Sequence, residues 1–115
     1  MCGVMPKAEP APKPDPANVF AALGEPTRFR LVDRLGDGAP RSISTLARDV
    51  PMSRQALTKH LRVLEAAGLA SAERDGRETL YRIDPSGLLA AEAWIGAVSA
   101  LWDAAIDRLK RHVEA

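Results

Sequence analysis

Residues 42–83, SISTLARDVPMSRQALTKHLRVLEAAGLASAERDGRETLYRI, decide the fold. The stretch Ser42-Ile43-Ser44-Thr45-Leu46-Ala47-Arg48-Asp49-Val50 predicts a short helix with a serine cap, closed by Pro51. A second helix follows over about 54–67, with Ser53 in the N-cap position and Gly68 as its C-terminal stop. Only Val50-Pro51-Met52 separates the two, which is the spacing of a helix-turn-helix. Asp75-Gly76 then lies between two extended runs, 69–74 and 78–83, and predicts a β-hairpin closed by a type I′ turn. A hairpin directly after a helix-turn-helix is a wing.

Stepping 100° per residue along 54–67 gathers Leu57, Leu61 and Leu64 on one face and Gln55, Lys59 and Arg62 on the other, with Thr58 at the border. Gln, Lys and Arg at i, i+4 and i+7 hydrogen-bond base edges and phosphates, and the major groove admits such a helix. Ser53 and Arg54 add N-terminal N–H groups and a positive charge suited to a phosphate. Alone, this stripe is equally the solvated face of an ordinary amphipathic helix. The tight turn before it and the wing after it favour DNA. His60 flanks the apolar stripe, where a boundary histidine and a DNA contact are both consistent. Arg74 and Arg77 bracket the wing turn, and Arg77 is the candidate to reach a minor groove or phosphates. Charge agrees with this placement: residues 26–62 hold eight basic side chains against three acidic ones, while the rest of the chain is net acidic within a formal total of +1.

Toward the N-terminus, residues 1–16 carry five of the nine prolines and predict an extended, disordered tail, so the domain is expected over 17–115. Asn18 is positioned to cap a short helix bearing Phe20 and Leu23, and Phe29, Leu31, Val32 and Leu35 supply the stripe of the next helix. Toward the C-terminus, Asp84-Pro85-Ser86 caps a long helix over about 87–113. Leu88, Ile95, Trp102 and Leu109 recur there every seven residues, with Ala91, Val98 and Ala105 between them. That heptad seam, with Phe20 of the first helix alongside, predicts an isologous dimer interface. The expected fold is therefore mainly α with a small β-hairpin: a winged helix-turn-helix that dimerises through a long C-terminal helix. Trp94 and Trp102 fit either that seam or the wall of a small-molecule pocket.

Composition removes other classes. A chain of 115 residues suits one domain and lacks the mass for a core plus a deep substrate cavity. Cys2 is the single cysteine, so an intramolecular disulfide or an all-thiolate zinc site is excluded. No uninterrupted apolar run approaches the roughly 20 residues of a membrane span, and no basic-then-apolar leader opens the chain, so a soluble cytoplasmic protein without membrane contact is expected. His60 and His112 fall on separate helices with no paired nucleophile and no glycine-rich phosphate loop, so enzyme chemistry has no constellation to stand on.

The motifs Leu23-Gly24-Glu25-Pro26-Thr27-Arg28, Leu46-Ala47, 53–64, Ala67-Gly68-Leu69 and Gly76-Arg77-Glu78-Thr79-Leu80-Tyr81 together resemble the ArsR/SmtB family of bacterial winged-helix repressors over roughly residues 19–83. The resemblance implies a homodimeric regulator, usually a repressor, on an imperfect palindrome in promoter DNA. It implies contacts from the segment 53–62, including His60, and from the wing around Arg77. Many members release DNA when a metal or another inducer binds. Ser42 and Ser44 stand where metal-sensing members carry Cys-x-Cys, and hydroxyls are poor ligands for soft ions. The last helix offers Asp103, Asp107, His112 and Glu114 in a spacing unlike the family's other metal site. No metal or cofactor is therefore expected, and any inducer is of unknown small-molecule chemistry. The rival is a winged-helix protein-interaction module using the last helix and the Pro-rich tail, which would leave Gln55, Lys59 and Arg62 on one face without a purpose.

Overall fold

Asp15 and Pro16 start the first helix, one turn earlier than the expected Asn18 cap. The Asp15 carboxylate accepts from the Ala17 amide at 2.9 Å, and Pro16 occupies the first helical position, where a missing N–H costs nothing. The computed structural model describes residues 13–114, so Cys2 and most of the proline-rich segment lie outside the described residues. Helix α1 is Pro16–Leu23 and α2 is Pro26–Leu35. The second begins by the same rule: Glu25 caps it, accepting from the Arg28 amide at 2.9 Å, and Pro26 follows. Leu31, Val32 and Leu35 of α2 are buried, but Phe29 is 59% exposed and leaves the expected stripe. At 100° per residue it lies about 110° from the centre of the other three.

After the α2 loop comes β1 (Arg41–Ser42), a strand of two residues that local pattern did not disclose. It pairs antiparallel with β3 (Glu78–Ile83), which in turn pairs with β2 (Ala70–Asp75), giving the order β1-β3-β2. Helix α3 (Ile43–Asp49) and α4 (Arg54–Ala66) form the helix-turn-helix. Ser42 caps α3 through the Thr45 amide at 3.2 Å, and Ser53 caps α4 through the Ala56 amide at 3.1 Å. Each serine satisfies one orphan donor of its helix. At the other end of α4 the Gly68 amide donates to Glu65 O and the Leu69 amide to Leu64 O, closing the last turn.

The hairpin turn corrects an expectation. Asp75 pairs with Glu78, so the two loop residues are Gly76 and Arg77 rather than Asp75 and Gly76. Gly76 has φ +65°, and no non-glycine residue among those described has positive φ, which is the pattern of a type II′ turn and not of type I′. Arg77 consequently occupies the turn itself, at the tip of the wing.

Helix α5 (Pro85–Glu114) has 30 residues and spans about 45 Å. Asp84 caps it through the Ser86 amide at 3.0 Å. Its first turn abuts the end of α4: the Gly87 amide donates to Gly68 O at 2.7 Å, and a Cβ on Gly87 would stand 2.6 Å from that oxygen. Ala91 is buried in the protomer's own core, together with Val19 and Ala22 of α1. It is therefore not available to a partner, contrary to the seam drawn from heptads. The seam assumed a helix free along its whole length, whereas its first two turns pack on α1. By length and composition α5 is also apolar enough to cross a membrane, although Glu92, Ser99 and Asp103 divide it into short apolar runs. Glu92, Ser99, Asp103 and Asp107 nevertheless share an arc of about 80°, so the apolar surface is a stripe rather than a full girth.

Candidate nucleic-acid interface

The helix-turn-helix presents its polar face outward because its apolar face is consumed. Leu57, Leu61 and Leu64 are fully buried, anchoring α4 against α2, α3 and β2. Gln55, Lys59 and Arg62 project on the exposed side, and no carboxylate interrupts the sequence from Arg54 to Leu64. Thr58 is half-buried, and its hydroxyl donates to Arg54 O at 2.8 Å, so it is committed to its own helix at the border of the face.

Beside the helix start, a notch opens between α3, α4 and the wing, walled by Ser42, Ile43, Ser44, Arg54, Thr58, Arg77, Glu78 and Thr79, so that one carboxylate faces the two arginines there. Arg54 Nη2 donates to Ser44 Oγ at 2.5 Å, which holds the guanidinium at the rim. Two guanidinium groups and several hydroxyls converging on one concavity suit a phosphate oxygen. Ser44 and Thr79 were not among the expected contacts. The Ser42-x-Ser44 spacing is visible in the sequence, but two hydroxyls at that spacing do not by themselves point to a phosphate. The wing is electrically mixed, since Glu73, Asp75 and Glu78 accompany Arg74, Arg77 and Arg82, and Arg82 pairs with Glu73 at 3.2 Å.

His60 sits differently from its neighbours. Its ring turns back toward the start of α2, with Nδ1 at 3.3 Å from Arg28 Nη1 and 3.7 Å from Glu25 Oε2. The Glu25 carboxyl is held below its ordinary range, chiefly by the Arg28 amide that it caps, with the charges of His60 and Arg28 adding to the effect against desolvation. Arg28, outside the apolar stripe of α2, is half-buried and donates through Nε to Ala22 O at 2.9 Å. Its partner on α4 is 32 residues away, which no local pattern reveals.

On the opposite side of the molecule the expected dimer residues divide. Leu88, Ile95, Trp102 and Leu109 are exposed, Val98 and Ala105 are half-buried, and Ala91 is internal. Phe20 meets Trp94 edge to face, with ring centroids 5.6 Å apart, so the α1–α5 junction ends in an aromatic pair at the surface. Among the described residues no three His, Cys, Asp or Glu side chains come together as metal ligands, and Asp103, Asp107, His112 and Glu114 form no such group. Ser42 and Ser44 are engaged in hydrogen bonds to Thr45 and Arg54.

Known proteins share this arrangement. A family described as a helix-turn-helix domain matches residues 23–71. The HTH-type transcriptional regulator Rv2034 of Mycobacterium tuberculosis is 41% identical over 75 residues, covering 65% of this chain and 69% of that protein. The HTH-type transcriptional repressor SmtB of Mycobacterium tuberculosis is 33% identical over 79 residues, covering 63% of this chain and 58% of that protein. An ArsR-like transcriptional regulator from Rhodococcus sp. RHA1 aligns with a TM-score of 0.74 and 38% identity, over 84% of this chain and 90% of that one. The homodimeric winged helix-turn-helix DNA-binding domain Mb0332 of Mycobacterium bovis aligns with a TM-score of 0.57 and 26% identity, over 80% of this chain and 82% of that one.

Proposed function

Because this chain belongs to the ArsR/SmtB family of winged-helix transcriptional regulators, we propose that it is a dimeric repressor that occupies a palindromic promoter operator. One observation carries the reading: a capped helix, fully anchored on its apolar side, offers an uninterrupted polar and basic stripe to solvent. Gln55, Lys59 and Arg62 read the major groove. Ser53 and Arg54 meet the backbone at the helix start, with Thr58 bordering the face through its methyl side, and Arg77 reaches from the wing. His60 is occupied by Arg28 and Glu25 and leaves the contact set.

Dimerisation supplies the second half-site. The exposed residues Leu88, Ile95, Trp102 and Leu109, with Val98, Ala105 and Phe20 at the margins, are the surface a second copy covers. A two-fold axis through α5 sets two recognition helices against successive major grooves, about 34 Å apart. The folded unit is the expected segment 17–115, extended at its start by Asp15 and Pro16, which begin α1. A protein reading promoter DNA in this way works in the cytoplasm. Any inducer would be of a chemistry other than soft-metal thiolate coordination at residues 42 and 44, where hydroxyls stand.

The test is selection of duplexes from random DNA, followed by fluorescence anisotropy of the selected and a scrambled duplex over a salt series. Lys59→Ala and Arg62→Ala are each expected to weaken the selected duplex by about ten- to a hundredfold. Unchanged affinity in both would remove α4 from the interface. Equal binding of both duplexes by the unaltered protein would favour the protein-interaction module instead.

A further inference from the structure

We propose that Arg28 and His60 are a positioning pair that fixes the recognition helix α4 to the end of α1, and that discrimination between operator and other DNA requires His60 to be neutral. The proposal rests on the DNA-binding function above but concerns residues that touch no DNA in it.

The pair exists because of a proline. Ala22 O lies in the last turn of α1, and its ordinary donor would be the amide four residues on, which is Pro26 and has no N–H. Arg28 replaces that donor, with Nε 2.9 Å from the oxygen. The same guanidinium then spans to α4, placing Nη1 3.3 Å from His60 Nδ1. An arginine has donors only, so Nδ1 accepts and the ring proton of the neutral imidazole is on Nε2. One rigid side chain thus joins the C-terminal end of α1, which leads to the dimer side, to the helix that carries Lys59 and Arg62. Since His60 is adjacent to Lys59, a grip on its ring adds a fixed point beside the basic stripe to the anchoring that Leu57, Leu61 and Leu64 already give α4.

The same nitrogen has a second suitor. Glu25 Oε2 is 3.7 Å away and already accepts the Arg28 amide at 2.9 Å. A neutral ring accepts from Arg28. A protonated ring must donate through Nδ1, which turns it toward the Glu25 carboxylate and sets its charge against the guanidinium. The Arg28 bridge is then lost, and Ala22 O loses the anchor that held its donor in place. Among the described residues, Glu25 and Arg28 are the charged groups within bonding distance of His60. From the other elements packed on α4, Asp49 of α3 is engaged by Arg34 at 2.9 Å and Glu73 of β2 by Arg82 at 3.2 Å.

Binding of the selected and the scrambled duplex, measured at constant salt from about pH 8 down to about pH 6, tests this because the ratio of the two affinities cancels the sequence-independent attraction to phosphates. The unaltered protein is expected to lose about tenfold in the ratio of the two affinities over that range, a change of about 1.4 kcal/mol. His60→Gln keeps an acceptor for Arg28 that cannot be protonated, so it should retain the high ratio at every pH. His60→Ala and Arg28→Lys should start about tenfold low and stay flat, the lysine because one ammonium cannot serve Ala22 O and His60 with a planar fork. A ratio independent of pH in the unaltered protein, or a His60→Gln variant that follows the same pH curve as the parent, overturns the pair. Failure of the unaltered protein to discriminate at the highest pH would instead overturn the DNA-binding function beneath it.

Discussion

Helices α4 and α5 are both amphipathic, yet their apolar stripes have opposite fates. Leu57, Leu61 and Leu64 of α4 are fully buried, whereas Leu101, Trp102 and Leu109 of α5 are 71%, 65% and 62% exposed. Burial of one such side chain is worth about 1.5–3 kcal/mol, so α4 is held by its own protomer and the outer turns of α5 are not. A monomer rarely leaves so continuous an apolar face in water. The contrast separates a finished element, whose polar side is free to act on something else, from an unfinished one, whose apolar side still needs a partner. Reading and dimerising are thereby assigned to different helices, joined through α1.

The harshest way to break this contrast is to charge the α5 stripe. Trp102→Glu enters an isologous interface twice, so a loss of about 4 kcal/mol, or about a thousandfold in the dimer dissociation constant, is expected by sedimentation analysis. The melting of the monomeric unit should be unaffected, because Trp102 contributes nothing to the buried core. If the variant stays dimeric, another surface joins the copies. Next in size is Leu61→Ala, which opens a cavity in the protomer and should cost about 2–5 kcal/mol, seen as a drop in the melting temperature of about 10 °C or more. Leu109→Ala is the matched control on α5: it should weaken dimerisation and leave the melting of a dilute, monomeric sample unchanged. Equal thermal losses from the two leucines would mean that α5 packs back on its own domain.

The elements most legible in the sequence were those fixed by local chemistry. Ser42 and Ser53 cap where a serine before an apolar period should, and the three leucines of α4 are buried as their spacing requires. The misses came from elsewhere in the chain. β1 is two residues long and exists only because β3 lies beside it, with Arg41 opposite Tyr81. Asp15-Pro16 is a strong helix start, but the prolines before it drew the pair into the tail. Phe29 looked like core because the apolar residues around it blur a 3.6 period over so short a helix. Ala91 shares its heptad with the residues proposed to face a partner, and only the packing of α1 against α5 separates it from them. At the candidate interface, exposed charges could be placed on a face from sequence, while the contact from Arg28 to His60 could not, since it joins residues that are neighbours only after the fold has formed.

The smallest expected effect lies at the loop that sets α3 beneath the reading helix, and it sharpens the same contrast by showing how little surface charge holds the finished half. Arg41 donates to both Asp37 oxygens, at 2.8 and 2.6 Å, and to Arg34 O at 2.7 Å, tying the end of α2 to β1. The Asp37 carboxyl is held far below the usual carboxylate range, first by the Arg41 guanidinium and then by the Ala39 amide. Because the folded value is the lower one, the stabilisation is complete above the ordinary range of about pH 4 and fades as pH falls toward the folded value. The pair is exposed and salt screens it, so Asp37→Asn should lower the melting temperature by only about two degrees at neutral pH. That deficit should shrink as the pH is taken below about 4, where the parent loses the same interaction. A deficit that stays constant into acid would mean that the remaining bonds of the loop, Arg41 to Arg34 O among them, carry the tie without the carboxylate's charge.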